Sequence, residues 1–396
     1  MVKNLKRLQL IRVAICFALI IGILLSIELW FPITRSFPRA PLLIELPEAI
    51  VPLVERVLSG MLMIFLTLTA LVSSRKVSVT AIASLVLLIF FDQMRLQPWV
   101  YQYLVLLILL TLSTWHKQNE SDINRTLGVL QLTVAALYFW SGLQKMNFSF
   151  THEILPELLI PFQNFLPSNH SQEFVAIGLF IALAETLIGC GLLFVRTRNF
   201  SVCLAVAMHS IVLGLLISKS YNSIVWTWNG MLIVIVILLF WRCDLSIWRP
   251  VFAWYSVNWR GKMTTSIALF LSLVPVLSFW GYWDMYLSGA LYSGNTAIAV
   301  VKVNEEVLEN LPEKARVHVF QTKSAGEQML PLFEWAMADL NVPVYPERRV
   351  FTYVAREVCK LAEEKSQMEL VIKERPELFD GSYSLTRIPC PNLQSK

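Results

Sequence analysis

Read from its first residue, the chain alternates between long apolar stretches and short polar turns. A helix needs about 17–25 apolar residues to cross the hydrocarbon core of a bilayer. Runs of this kind lie at about 11–31, 57–73, 77–91, 99–114, 123–143, 174–195, 199–218, 223–241 and 264–281. The spacing therefore predicts about nine transmembrane helices within residues 1–284, with the third and fourth short for a full crossing. From residue 285 the pattern changes in kind. Residues 285–396 hold 13 of the 33 basic and 15 of the 28 acidic residues. Strand-like apolar runs appear there at 297–303, 317–320 and 368–372, and helical periodicity at 328–340 and 349–364, with Pro343 and Pro346 between the two helices. About 100 residues suffice for one small folded unit. The expected architecture is an all-α polytopic membrane domain (1–284) followed by a small α+β extramembrane domain (285–396).

Composition sharpens this picture. Hydrophobic residues make up 56% of the chain and charged residues only 15%, against about 25% charged in soluble domains. Such a chain in water would expose large apolar patches. The 13 Trp, 11 Tyr and 23 Phe suit a membrane protein, whose amphipathic rings gather at headgroup level. There is no internal repeat and no basic stripe, which excludes a nucleic-acid partner. The first run follows Lys3, Lys6, Arg7 and Arg12 as a signal peptide would. Its apolar part is about 20 residues long, however, and no small-x-small site follows Trp30-Phe31-Pro32, so a retained helix is expected.

Charge in the loops sets the orientation. With the N-terminus inside, 14 basic residues fall on inner segments and 6 on outer ones. The positive-inside rule then places the N-terminus in the cytoplasm and, after nine spans, the C-terminal domain outside. Cys16, Cys190 and Cys203 lie within spans, and Cys243 lies at a cytoplasmic edge. Cys359 and Cys390 share the outer domain, where an oxidising compartment would make them disulfide partners. The other reading is two buried free thiols.

Polar groups at membrane depth cost about 2.5–3.5 kcal/mol each on insertion scales and are default functional candidates. They form four groups. The first is Asp92, Gln93, Arg95, Gln97, Trp99 and Gln102, in which Asp92 and Arg95 could pair across one turn or an interfacial loop could simply be anchored. The second closes the fifth span with Tyr138, Trp140, Ser141, Gln144, Lys145 and Asn147. A lysine out of water and without a close acid loses its proton more readily and becomes a base; the bland alternative is a lysine that snorkels to the interface. The third group is Glu185 and His209, near the middles of spans six and seven. Gly189 shares the helix face of Glu185 and leaves room for a close neighbour; Glu185 could pair with Lys145 or with His209. The fourth is Trp226, Trp228 and Asn229, where Asn229 can hydrogen-bond between helices. No HExxH, CxxC, GxSxG or phosphate-loop motif is present, and no metal site is predicted.

The stretch Leu137-Tyr138-Phe139-Trp140-Ser141-Gly142-Leu143-Gln144-Lys145-Met146-Asn147 resembles the YF-x-AG-x-x-KLD segment of the vitamin K-dependent gamma-carboxylases. The segment recurs in their bacterial relatives, the horizontally transferred transmembrane (HTTM) family. The acidic Glu185 in the next helix, the basic turn of Arg196 and Arg198, and His209 after it follow the same order. The PWVYQYL stretch from Pro98 resembles the start of the family's preceding helix, and DoxX-type membrane proteins share a similar pattern. The resemblance covers roughly residues 80–245. It implies a lysine that acts as a base toward a quinol at the outer face, with the soluble domain on the same side. Carried over, Lys145 is the candidate base, with Glu185 and His209 tuning its charge or positioning a ligand. Gln102, Tyr103, Trp140, Gln144 and Asn229 are the candidates to line the pocket. The family's Asn-His pair has no counterpart in the stretch from Pro98 to Tyr103. The implied ligand is a quinone, quinol or other apolar ring-bearing molecule. The implied location is a bacterial inner membrane with a periplasmic C-terminal domain. A reading of a different class also stands: a non-enzymatic, DoxX-like scaffold that presents its outer domain to a protein partner, with Lys145 and Glu185 as a structural ion pair. A cavity reaching Lys145 separates the two.

Overall fold

The computed structural model describes residues 2–45, 47, 49–113, 120–165, 168, 171–219, 222–248, 259–322, 326–362 and 368–393. Each of the nine predicted apolar runs is occupied by a helix: α1 (Val2–Leu25), α2 (Val51–Leu71), α3 (Arg75–Phe91), α4 (Pro98–Ser113), α5 (Glu120–Gln144), α6 (Gln172–Leu193), α7 (Val195–Ser218), α8 (Ser223–Phe240) and α9 (Trp259–Leu273). Seven of them are long and apolar enough to cross a membrane, counting α9 with the 3₁₀ turns that extend it to Trp280; α3 and α4 are the short ones. The ends of predicted run 99–114 and helix 349–364 lie outside the described residues, as do Lys117 and Arg249, two of the 14 basic residues counted on inner segments.

Long-range hydrogen bonds sort the loops into two sets. At one end Arg7 donates to the carbonyl of Trp241 (2.7 Å), and Arg198 donates to the carbonyls of Cys243 (2.6 Å) and Leu245 (2.8 Å). At the other end the C-terminal domain is tied down. Asn341 donates to the carbonyl of Leu25 (2.8 Å) and to Ser223 Oγ (3.0 Å), Gln97 to the carbonyl of Pro343 (3.1 Å), and Phe148 N to the carbonyl of Leu378 (2.8 Å). The ends of α1, α3 and α5 and the start of α8 therefore share a face with that domain.

Under the domain lies a buried ionic cluster. Arg35 pairs with Asp92 (2.7 Å), and Glu55 takes both Arg95 (2.7 Å) and Arg39 (2.9 Å). This corrects the Asp92–Arg95 pairing considered from sequence. Asp92 Oδ1 accepts from the backbone N–H groups of Met94 and Ala40 (both 3.1 Å), and its other oxygen meets Arg35. Arg95 turns inward to the carbonyls of Leu29 (3.0 Å) and Leu88 (2.9 Å) and to Glu55.

The C-terminal domain is a five-stranded antiparallel sheet in the order β2-β3-β1-β4-β5: β1 (Ile298–Val303), β2 (Phe320–Gln321), β3 (Gln328–Pro331), β4 (Glu369–Lys373) and β5 (Leu385–Pro389). Helices α10 (Leu332–Leu340) and α11 (Arg348–Cys359) pack on it. The periodicity from residue 328 misplaced one boundary. Gln328–Pro331 pairs with Val300–Val303 of β1, and the helix begins only after Pro331. The 317–320 run contributes only Phe320 to a strand. Cys359 and Cys390 form a disulfide (Cα–Cα 5.9 Å) that joins the end of α11 to the residue after β5. Where the domain meets the bundle, Asp284 accepts from Tyr345 Oη (2.8 Å) and from Arg349, and Arg349 Nε also donates to Gln93 (2.9 Å). Burial, with Asp284 adjacent, pushes the Glu347 carboxyl up to about 7, which Arg349 offsets only in part.

Candidate functional site

The site begins with three residues of one helix face. Tyr138, Ser141 and Lys145 follow one another at intervals of three and four, the spacing that stacks side chains along a helix. Lys145 lies one residue beyond the end of α5. Its Nζ donates to Ser141 Oγ (2.8 Å), to the Ser141 carbonyl (3.2 Å) and to Glu185 Oε2 of α6 (2.8 Å). Both side chains of this ion pair are largely buried, at 14% and 10% exposed.

Two glycines allow the pair to meet. A Cβ on Gly142 would stand 2.3 Å from the backbone N of Thr186, and one on Gly189 would stand 2.5 Å from the backbone N of Phe139. Helices α5 and α6 thus touch backbone to backbone, as small residues permit in membrane bundles. Gly189 makes the room inferred for it from sequence. Of the two partners considered for Glu185, Lys145 is the one it meets.

A second polar pair lies deeper. His209 of α7 meets Tyr138 Oη through Nε2 (2.7 Å) and Asn229 Oδ1 through Nδ1 (2.7 Å). Asn229 donates its amide N–H to the carbonyl of Val225 (2.8 Å), which leaves its oxygen facing the ring. That orientation requires His209 to carry a proton on Nδ1, so Nε2 of the neutral ring accepts from the tyrosine hydroxyl.

Both pairs line one cavity of about 450 Å³ among α5, α6, α7 and α8. Apart from them its walls are mostly apolar. Phe150, Leu155, Leu158 and Leu159 line it from the linker after α5, which contains a π-helical turn at Phe150–Ile154. Phe180 and Ile211 line it too and are 70% and 65% exposed on the outside of α6 and α7. The cavity is therefore bounded laterally by residues on the bundle's outer apolar surface.

Of the predicted residues, Lys145, Glu185, His209 and Asn229 come together here. Gln102 stands behind the wall and accepts from Nε1 of Trp228, which lines the cavity (2.6 Å). Trp140 turns away from Lys145 to donate to the Ser272 carbonyl (2.7 Å), and with Gln102 it lines a separate crevice of about 40 Å³. Tyr103 is buried against Trp99 outside the cavity. Gln144 lies in the joint with the C-terminal domain, bonded to Ser278 and Asn295 (both 2.8 Å). Trp140 and Gln144 occupy the other faces of α5, so helical spacing from Lys145 was the signal that separated them from Tyr138 and Ser141. Among the described residues no group of three or more His, Cys, Asp or Glu is gathered to hold a metal ion.

The chain matches no protein-family model, no curated protein and no solved structure. The chemistry of the cavity is thus read from its own residues. It offers two hydrogen-bonded pairs, Lys145–Glu185 and Tyr138–His209, each able to hold or pass a proton within apolar walls.

Proposed function

We propose that this chain is a nine-span membrane protein of the gamma-carboxylase-like, HTTM class, with the N-terminus in the cytoplasm of a bacterial cell and the C-terminal domain in the periplasm. In this reading it is an enzyme that takes a quinone, quinol or similar ring-bearing molecule from the bilayer and uses Lys145 as a base. The observation that carries it is the apolar cavity of about 450 Å³ on which Lys145, Glu185, Tyr138 and His209 converge. The alternation of loop ends supports nine spans, and the excess of basic residues on the end opposite the C-terminal domain supports the orientation.

The residues fit such a ligand. Apolar walls suit the ring, and the polar groups of the cavity suit its two oxygens. A quinol supplies ionisable hydroxyl protons and, on oxidation, two electrons. Lys145, Ser141 and Tyr138 would hold the oxygens, with His209 behind Tyr138, both of its ring nitrogens being already bonded. In contact with Glu185 the lysine is an ammonium and not yet a base. For Lys145 to act as the base, its proton passes along the 2.8 Å hydrogen bond to Glu185, leaving two neutral groups where two charges stood. The amine freed in this way accepts a proton without changing the net charge of the cavity. Tyr138 donates to His209 and can relay a second proton through the same ring.

The test is binding of a short-tailed benzoquinone and a naphthoquinone to the purified protein in detergent, with Lys145→Ala, Lys145→Arg and Glu185→Gln beside the parent. Binding by the parent with a shifted acidity of the reduced ligand, lost in the Lys145 variants, supports the proposal. The tight Lys145–Glu185 contact favours a second reading, a scaffold in which the pair is structural and the outer domain recruits a protein partner. Absence of binding, with Lys145→Ala lowering only thermal stability, would put that reading in place of the first.

A further inference from the structure

Ser141 differs from other hydroxyl groups of the bundle. Thr126, Thr133, Thr186, Ser210 and Ser272 each turn the hydroxyl back to the carbonyl four residues earlier, at 2.7–3.0 Å. That bond is the usual fate of a serine or threonine inside a helix, and it ties up the hydroxyl proton. Ser141 makes no such bond among the described residues. Its Oγ instead lies 2.8 Å from Lys145 Nζ, and the residue lines the cavity of about 450 Å³. The lysine is held in turn by Glu185, at 2.8 Å. A hydroxyl, an amine within hydrogen-bond reach of it, and a third group that orients the amine are the parts that turn an ordinary serine into a nucleophile. Serine–lysine pairs serve in this way on unrelated folds.

The walls decide what such a nucleophile meets. Leu137, Leu155, Ile188 and Leu215 surround the polar groups with apolar side chains. Phe180 and Ile211 line the same cavity and are largely exposed on the outer surface of the bundle, where acyl chains lie. We propose that Ser141 is the nucleophile of an acyl-transfer site for a carboxylic ester with a long alkyl chain, with Lys145 as its base and the chain laid against the apolar walls. Once Lys145 has passed its proton to Glu185, its amine takes the hydroxyl proton of Ser141, and Oγ bonds to the ester carbonyl carbon. The bond from that carbon to the alcohol oxygen breaks, and Lys145 returns the proton to the departing oxygen. Water then acts on the acyl-serine in the same way. It gives a proton to Lys145, bonds to the carbonyl carbon and displaces Oγ, which takes the proton back. The sum is ester plus water to acid plus alcohol, with no electrons exchanged.

The experiment uses the full chain in a neutral detergent. The protein is treated with a fluorophosphonate bearing a dodecyl chain, and the adduct is located by peptide mass spectrometry. Hydrolysis of para-nitrophenyl decanoate is followed beside it. The adduct should fall on Ser141, and Ser141→Ala should show neither adduct nor hydrolysis. Lys145→Arg keeps the positive charge but cannot take up a proton, so both rates should fall about 100-fold or more. The dodecyl probe should react about tenfold faster or more than its methyl counterpart, because its chain is buried in the cavity. Ser272→Ala, whose hydroxyl is tied to Ala268, should be labelled as the parent is. Absence of an adduct at Ser141 overturns the proposal, as does hydrolysis that survives Ser141→Ala. A Lys145→Arg rate within about threefold of the parent also overturns it, since the lysine is then no base. If Lys145→Arg does not fold, Ser141→Ala and the chain-length preference decide. The proposal shares the cavity with the quinone reading but needs no redox partner. A parent that binds quinone and leaves Ser141 unlabelled therefore refutes this proposal alone, and labelling of Ser141 without quinone binding upholds it and removes the quinone.

Discussion

Replacing Lys145 and Glu185 one at a time should not be symmetrical. Lys145 has three acceptors, two of them oxygens of Ser141, whereas among the described residues Glu185 is hydrogen-bonded only to Lys145. Glu185→Leu leaves an ammonium with two neutral acceptors, and the expected loss is about 2 kcal/mol. Lys145→Met leaves a carboxyl in an apolar cavity with no hydrogen bond. It must bind a proton or remain charged, and the expected loss is about 3–4 kcal/mol. In the double variant apolar groups of similar size fill both places, so stability should return to within about 1 kcal/mol of the parent. The double-mutant cycle should then give a coupling of about 4 kcal/mol or more. Reversible unfolding in mixed micelles at pH 7 measures all four proteins. Additive losses would refute the pairing, and a larger loss for Glu185→Leu than for Lys145→Met would refute the asymmetry.

Other outcomes follow from the same geometry. Gly189→Ala should destabilise by about 2 kcal/mol or more, because its Cβ would meet backbone atoms at 2.5 and 2.8 Å that cannot swing aside. Gly230→Ala, which meets no atom within 4 Å in the middle of α8, should be neutral or gain up to about 1 kcal/mol in the same unfolding assay. Replacing Cys359 and Cys390 by serine should cost the C-terminal domain about 3–4 kcal/mol, since the bond closes a loop with a sequence separation of 31, and limited proteolysis with and without reductant would report it. Glu347 binds its proton more tightly when folded, at about 7 against the ordinary 4.5. Its contribution is therefore fully present below about 4.5 and is lost as pH rises through about 7. The C-terminal domain should become less stable from pH 5 to 8, and Glu347→Gln should flatten that slope in a thermal scan.

The helices were legible in the sequence because hydrocarbon solvent leaves the backbone few alternatives to hydrogen bonding within each segment. The candidate site was legible in part for the same reason: charged or polar groups such as Lys145, Glu185 and His209 stand out against apolar neighbours. Their grouping was less so. Tyr138 stood among the polar residues closing the fifth span but was given no role of its own, and its bond to His209 depends on how α7 turns toward α5. Trp140 and Gln144 looked equally eligible because proximity in sequence says little until the helix face is fixed by the contacts at Gly142 and Gly189. Glu55 drew no notice among the residues at the start of α2, yet it is fully buried between Arg39 and Arg95. In the C-terminal domain β5 was missed because its exposed and half-buried residues alternate at a sheet edge, where side chains carry little core signal.

The tie between Asp339 and the linker after α1 bears on how the protein is made. Asp339 Oδ2 accepts from the backbone N–H groups of Ser36 (2.7 Å) and Phe37 (2.6 Å), and its other oxygen meets Lys314 (2.7 Å). These amides belong to the first helix hairpin to leave the ribosome, while their acceptor lies some 300 positions later. Until then the hairpin lacks this acceptor, and Arg35 beside it pairs with Asp92. A chain arrested before residue 339 would leave the surface around this linker unfinished from its earliest segment.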